Sequence, residues 1–189
     1  MSLAEDYSSL YKTILEEHRQ VFEAQDIQML RRFMDLIASH KRIFIMGAGR
    51  EGIAARGFAM RLMHLGKDVH WIWDDTTPGM GKDDLFIVVN GGGNIGHINY
   101  VMSQAKQSGA HIACISGSPS GAGVKIADFI LFVPAAVYKG TDPVTPSIQP
   151  MGNLFEQHLF LLFDVVIILL EKELKLSHEE MAARHRNVE

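Results

Sequence analysis

Five short apolar segments recur between residues 42 and 133, each separated from the next by a longer stretch. They are Arg42–Met46, Val69–Trp73, Leu85–Val89, His111–Ser116 and Phe129–Val133. Short apolar runs bounded by glycine, proline and polar residues are typical of buried strands. Amphipathic segments that predict helices lie between most of the runs, at Glu51–Leu65, Ile95–Ser108 and a short one near Gly121–Ala127. This alternation favours a parallel sheet with helices on both faces.

Helical patterns flank the predicted sheet on both sides. Residues 1–40 predict two helices, with Asp26 as the N-cap of the second. Residues 135–152 form a long proline-containing loop, and such loops are often functional. A long apolar helix over Asn153–Leu174 and a polar helix over Ser177–Arg186 follow. We therefore predict one domain over residues 1–189, made of N-terminal helices (1–40), a sheet core (41–134) and a loop with C-terminal helices (135–189).

Composition excludes several classes of partner. The 189 residues carry a net charge of -4, so no basic surplus exists to neutralise nucleic-acid or anionic membrane phosphates. The most apolar stretch, Leu159–Leu170, contains Asp164 and is shorter than the roughly 20 residues of a membrane span, so we expect a buried helix. The single cysteine, Cys114, lies in an apolar run and predicts a buried thiol in a cytoplasmic protein.

Two glycine loops follow predicted strands. The first, GAGREG over Gly47–Gly52, fits the dinucleotide fingerprint G-x-G-x-x-G, and Asp74 stands 22 residues past Gly52, where a ribose-binding acid would lie. The second contains three consecutive glycines, Gly91–Gly93. The carboxyl ends of adjacent parallel strands can bring two such loops onto one small anion. A nucleotide site, another phosphate site and simple tight turns all remain open from these patterns.

Longer motifs carry a resemblance to a known family. They are Gly47–Arg50, Ala59–Gly66, Thr76–Pro78, Gln149–Gln157 and Arg184–Glu189. In this order, with AMRLMHLG and QPMGNLFEQ as the most specific strings, the chain resembles the sugar isomerase (SIS) domain family, and within it the 6-phospho-3-hexuloisomerases. The resemblance spans nearly the whole chain.

The resemblance implies a fold and an activity. The fold would be a three-layer α/β/α sandwich with a five-stranded parallel sheet of flavodoxin-like topology. The activity would interconvert 3-hexulose 6-phosphate and fructose 6-phosphate through an enediol. No metal or organic cofactor is implied, and the nine histidines show no metal-binding spacing. The resemblance also implies a homo-oligomer, often a tetramer, with sites shared between subunits.

The resemblance also assigns site residues. Glu156 would be the catalytic base, and His185 would assist ring opening or proton transfer. The substrate-binding candidates are Gly49, Arg50, Glu51, Thr76, Thr77, Asn90, Gly91, Gly92, Gly93 and Asn94. Thr141 and Ser147 are further hydroxyl candidates on loops. Without the resemblance, Glu156 reads as an acid that complements a helix dipole and His185 as a solvated histidine.

The chain departs from the family at its phosphate loops. Glu51 stands where members usually carry a serine, and residues 90–95 replace a hydroxyl-rich loop. Glu51 would repel phosphate if it faced it, or would bind a sugar hydroxyl or amine. The chain could thus be an isomerase with weakened binding, an isomerase of another substrate, or a SIS module that binds a sugar phosphate without catalysis. A NAD(P)-dependent oxidoreductase is a lesser alternative.

Overall fold

Five parallel strands form one sheet in the computed structural model, which describes residues 2–188. The strands are β1 (Arg42–Gly47), β2 (Asp68–Trp71), β3 (Leu85–Val89), β4 (His111–Ser116) and β5 (Phe129–Phe132). Their order is β2-β1-β3-β4-β5, and every adjacent pair is parallel. The five predicted strands are confirmed. β2 ends two residues earlier than predicted because the chain turns after Trp71, where the N–H of Asp74 donates to the carbonyl of Trp71.

Six α-helices surround the sheet within the described residues. They are α1 (Leu3–Ala24), α2 (Ile27–Ser39), α3 (Gly49–His64), α4 (Gly96–Ser108), α5 (Asn153–Leu174) and α6 (His178–Ala182). Asp26 caps α2 as predicted, since its carboxylate accepts N–H bonds from Gln28 and Met29. Two helices are shorter than predicted. The segment near Gly121 forms only a 3-10 turn, Val124–Ile126, and α6 ends at Ala182. The termini of the predicted domain, Met1 and Glu189, lie outside the described residues.

Both faces of the sheet are buried. Along β1, Ile43 and Ile45 join the core beneath α2, α3 and α5, whereas Phe44 and Met46 join the core beneath α4. Strand side chains point alternately to opposite faces, so a strand buried on both sides is apolar throughout. This explains why the apolar runs in the sequence are continuous. The arrangement confirms the predicted three-layer α/β/α sandwich.

The apolar helix α5 packs against α1, α2 and α3. The segment Pro150–Leu174 is long and apolar enough to cross a membrane by length and composition alone. Half of the most apolar part of this segment is buried inside the structure. Several apolar side chains of α5 nevertheless remain exposed: Phe160, Leu161, Val165, Ile168 and Leu169.

Strand order places two loops side by side. From β1 the chain crosses to β2 on one side and then to β3 on the other, so the order reverses between β1 and β3. Open α/β sheets bind ligands beyond the carboxyl ends of the strands at such a reversal. The loops that follow β1 and β3 are the two glycine loops of the sequence.

Candidate active site

The first glycine loop is a tight strand-to-helix turn. The N–H of Gly52 donates to the carbonyl of Ala48 at 3.1 Å. A Cβ on Gly52 would lie 2.6 Å from the carbonyl oxygen of Gly47, so this turn requires glycine there. α3 begins at Gly49, two residues earlier than predicted, so Arg50 and Glu51 lie in its first turn. Close backbone packing therefore explains Gly47 and Gly52, and a positive φ of 54° explains Gly49, without a dinucleotide.

Glu51 points across the carboxyl ends of β1 and β3 to the second glycine loop. Its Oε2 accepts a hydrogen bond from the N–H of Gly91 at 2.9 Å. Burial raises the pKa of Glu51 to about 7; the Gly91 N–H opposes this increase and the nearby Glu156 carboxylate adds to it. A carboxyl group with this pKa exchanges its proton near neutral pH.

The second glycine loop is held mainly by its own residues. The side chain of Asn90 is fully buried, donates to Oδ1 of Asn99 at 3.1 Å and accepts from the N–H of Ile95 at 3.4 Å. Oδ1 of Asn94 accepts from Asn99 at 3.0 Å. Asn90 and Asn94 thus stabilise the loop and the start of α4, although they were predicted to contact substrate. Nothing in the sequence pattern of α4 indicated the role of Asn99.

Close packing explains the three glycines. A Cβ on Gly91 would lie 2.5 Å from Oε1 of Glu51, and one on Gly92 would lie 3.0 Å from the carbonyl oxygen of Tyr138. Gly93 has a positive φ of 74° and lies against the carbonyl of Ser118, 2.6 Å from where its Cβ would be. Gly91 and Gly93 are therefore required by close approach, and Gly93 also by its left-handed backbone, whereas a side chain at Gly92 would need only a small shift of the Tyr138 carbonyl. Only the first of the three meets another predicted site residue.

Glu156 lies in the first turn of α5, beside the first turn of α3. Its Oε2 is 3.0 Å from Nε of Arg50, whose Nη1 donates to Oδ1 of Asn153 at 2.7 Å. Oε2 is buried and accepts no hydrogen bond from the described residues, so the carboxylate is paired by charge alone. Burial raises the pKa of Glu156, and Arg50 opposes that rise.

A small cleft adjoins this carboxylate. It has a volume of about 240 Å³ and is lined by Arg50, Ile53, Glu156, Gln157 and Phe160. A proton acceptor, a cation and an apolar wall therefore meet at one place. The sequence brought Arg50 and Glu156 into one predicted site, and the structure places them in contact.

The loop before α5 fixes the position of Glu156. Met151 has a positive φ of 58°, which is rare for a residue with a side chain, and Gly152 follows at 79°. A Cβ on Gly152 would lie 2.4 Å from the backbone nitrogen of Tyr138, so only glycine fits. Left-handed residues of this kind cluster at functional sites because the surrounding structure holds them.

A carboxylate of α1 clamps the same loop. Glu17 is 6% exposed and accepts from the Ser147 hydroxyl (2.7 Å), the Ile148 N–H (2.7 Å) and the Gln149 side chain (3.1 Å). Ser147, a predicted hydroxyl candidate, is therefore committed to this clamp. Sequence reasoning missed Glu17, although its position one turn before the buried Val21 was a signal.

The predicted threonines lie on the loop after the edge strand β2. The hydroxyl of Thr77 donates to the carbonyl of Trp71 at 2.6 Å and stabilises the turn. Thr76 is exposed on the same carboxyl edge as the two glycine loops. Asp74 is also exposed, and its carbonyl accepts the N–H of Thr77 at 2.9 Å.

His185 lies at the other end of α3. Its ring stacks on that of His64, with centroids 5.2 Å apart. Thirteen residues separate Glu51 from His64 along α3, which corresponds to about 20 Å. His185 therefore does not meet Glu156 within one chain. It lines a larger cavity of about 520 Å³ together with residues of α3, α5 and α6, among them Arg61, Asp164, Ile168 and His178.

Comparison with known proteins places this geometry in a family. The SIS domain model matches residues 36–161. The chain belongs to the SIS domain family. The 3-hexulose-6-phosphate isomerase of Bacillus subtilis is 37% identical over 155 residues, covering 82% of this chain and 84% of that protein. The enzyme of that name from Mycobacterium gastri is 38% identical over 149 residues, covering 78% and 74%.

A solved SIS domain structure has the same fold over nearly the whole chain. The crystal structure of a hypothetical protein from Methanococcus jannaschii, for which a 3-hexulose-6-phosphate isomerase function was inferred, has a TM-score of 0.84 and 31% identity. The superposition covers 96% of this chain and 99% of the Methanococcus jannaschii chain. Within the part of the chain that the structure describes, this SIS domain contains no cluster of three or more His, Cys, Asp or Glu residues suited to a metal ion.

Proposed function

We propose that this protein is a phosphosugar isomerase that interconverts 3-hexulose 6-phosphate and fructose 6-phosphate. The observation that carries the proposal is Glu156, which lines a cleft and whose buried Oε2 is paired with Arg50 without a hydrogen bond. The relatives named 3-hexulose-6-phosphate isomerase support the choice of substrate. The single cysteine, buried in β4, suits the reducing cytoplasm in which we place the enzyme.

Glu156 would carry the proton between carbons. Moving a carbonyl along a sugar requires removal of a proton from one carbon and its return to the neighbouring carbon, through an enediol. A carboxylate with a raised pKa is better matched to this task than an exposed one, because the ideal catalytic pKa lies near the working pH. The Arg50 guanidinium keeps Glu156 ionised before transfer and would stabilise the negative oxygen of the enediolate.

We further propose that His185 of one subunit completes the site of another. Phe160 borders the Glu156 cleft, Ile168 borders the His185 cavity, and the exposed apolar side chains of α5 run between them. A two-fold contact along this strip would lay the Phe160 end of one α5 against the Ile168 end of the other. Each His185 would then approach the Glu156 of its partner.

Hydrogen exchange tests the isomerase activity. Incubation with fructose 6-phosphate in deuterated water should place deuterium on the sugar carbon from which the proton is removed, as seen by NMR. Binding of the sugar phosphate without any deuterium uptake would contradict the proposal. That outcome would favour a module that binds a sugar phosphate without catalysis.

Mixing two inactive variants tests the shared site. Glu156→Gln and His185→Ala should each lose activity alone. After random re-association as dimers, about a quarter of the sites would carry both native residues, so about a quarter of the activity should return. No recovery in preparations shown to contain mixed oligomers would place His185 outside the site.

A further inference from the structure

The carboxyl group of Glu51 occupies the second glycine loop as a bound anion would. Its Oε2 accepts the Gly91 N–H at 2.9 Å. Its Oε1 lies 2.5 Å from where a Cβ of Gly91 would be, and the ring of Phe155 lies 2.8 Å from the same point. The carboxyl group fits between the loop and this ring only because Gly91 has no side chain. An amide that could donate to a ligand is therefore already satisfied from within the chain.

The surroundings make this internal anion easy to neutralise. Glu156 faces it from α5, the Cys114 thiol lies below it on β4, and the loop after β3 contributes the Gly91 N–H. The nearby cation, Arg50, is committed to Glu156 and Asn153. Burial and the Glu156 charge together raise the pKa of Glu51 to about 7. Near neutral pH the carboxyl group thus divides its time between a charged and a neutral form.

We propose that Glu51 is a specificity-determining residue that competes with the phosphate of the substrate for the second glycine loop. This inference rests on the proposed function, because it concerns how the same site accepts a sugar phosphate. Phosphate must displace the carboxyl group from the Gly91 N–H in order to use the loop. A charged Glu51 also repels the phosphate, which is mostly a dianion above about pH 6.

The competition predicts what kind of ligand the site selects. A ligand that offers only phosphate gains little from the loop, whereas a sugar phosphate can gain its affinity from the contacts of the sugar with the Arg50–Glu156 cleft. The site should therefore bind fructose 6-phosphate well above inorganic phosphate. The loss of phosphate affinity with rising pH should follow the ionisation of Glu51.

Calorimetric titration with fructose 6-phosphate and with inorganic phosphate, at pH 6 and pH 8, tests the proposal. Glu51→Ser should tighten binding of both ligands about tenfold at pH 8 and clearly less at pH 6, where the native carboxyl group is mostly neutral. Glu51→Gln keeps the size of the side chain and an oxygen that can accept from Gly91. It removes only the charge, so it should show a smaller gain at pH 8 and no gain at pH 6.

Asp83→Ser is the matched control. Asp83 is exposed just before β3, at the amino end of the strand, whereas the glycine loops lie at the carboxyl ends. Its replacement by serine changes the net charge by as much as Glu51→Ser does, without touching the loop. It should leave both affinities unchanged. Glu51→Gln also protects the test against misfolding of Glu51→Ser, because it preserves the buried contact. Unchanged phosphate affinity in Glu51→Gln at pH 8, or an equal gain in Asp83→Ser, would overturn the proposal.

Failure of this inference is distinguishable from failure of the proposed function. Tighter phosphate binding in the Glu51 variants without deuterium uptake in any variant would support competition by Glu51 and refute the isomerase. Deuterium uptake with the native protein, together with no effect of the Glu51 variants on binding, would support the isomerase and refute competition by Glu51.

Discussion

Nε of Arg50 lies 3.0 Å from Oε2 of Glu156, so the first turn of α3 holds the first turn of α5. A second bond from Arg50, to Oδ1 of Asn153, fixes the guanidinium against the same turn. Burial and the cation act on Glu156 in opposite directions, the first raising its pKa and the second lowering it. The carboxylate can therefore be ionised at rest and still accept a proton from carbon.

Glu156→Gln should abolish deuterium exchange while substrate binding is retained. Glutamine has the same shape but cannot take a proton from carbon, and loss of a general base costs about 10² to 10⁴ in rate. Rates of exchange and affinities from calorimetry check this directly. The control is Glu173→Gln, because Glu173 is an exposed acid near the far end of α5. This variant should catalyse deuterium exchange into the sugar at the native rate. Retained turnover in Glu156→Gln would mean that another residue is the base.

Arg50→Gln should move the pH dependence of the reaction upward. Arg50 lowers the pKa of Glu156, so its removal raises that pKa. A base works when ionised, and the rise of kcat/KM with pH should therefore begin at a higher pH in the variant. A pH–rate profile from pH 5 to pH 9 measures the shift. A profile that falls uniformly without moving would show that Arg50 only positions substrate.

The parallel sheet could be predicted because its causes are local in the sequence. Each strand is buried on both faces, so Ile43–Met46 reads as an unbroken apolar run, and each helix between strands has its own amphipathic pattern. The start of α5 was also predictable, since proline and glycine at 150 and 152 mark a turn before a helix. Those signals do not depend on contacts with distant residues.

The details of the site could not be predicted because they depend on contacts across the chain. Glu51 reaches a residue 40 positions away, and Glu17 reaches a loop 130 positions away. Asn90 was predicted to bind substrate, and the structure shows its side chain bonded to Asn99 near the start of α4. A sequence pattern shows that a polar residue follows a strand. It does not show whether the side chain of that residue forms its hydrogen bonds within the protein or to a ligand.

Gly91→Ala should destabilise the fold. The added methyl group would lie 2.5 Å from Oε1 of Glu51 and 2.8 Å from the Phe155 ring, so side chains in a packed region must shift. Overpacking of this kind costs about 1–3 kcal/mol. Gly79→Ala is the control, because no atom lies within 4 Å of its added methyl group. Urea unfolding measures both, and equal stabilities of the two variants would contradict the close packing of Glu51 on this loop.

Glu17→Gln should loosen the loop that precedes α5, and its effect should depend on pH. Burial raises the pKa of Glu17, but the hydrogen bonds from Ile148, Ser147 and Gln149 outweigh this and leave it below its ordinary value of 4.5. A carboxylate with a lowered pKa stabilises the fold fully above the unfolded value and loses that contribution as pH falls through the folded value.

The native protein should therefore exceed Glu17→Gln in stability by about 1–3 kcal/mol at pH 7, the cost of leaving buried donors without a charged acceptor. The difference should shrink below pH 4.5. Urea unfolding at pH 7 and pH 3.5 measures it, and hydrogen exchange at the Ile148 amide reports the loop itself. Glu16→Gln, on the exposed side of the same helix turn, should leave Ile148 exchange unchanged. A stability difference that is the same at both pH values would show that the charge of Glu17 does not hold the loop.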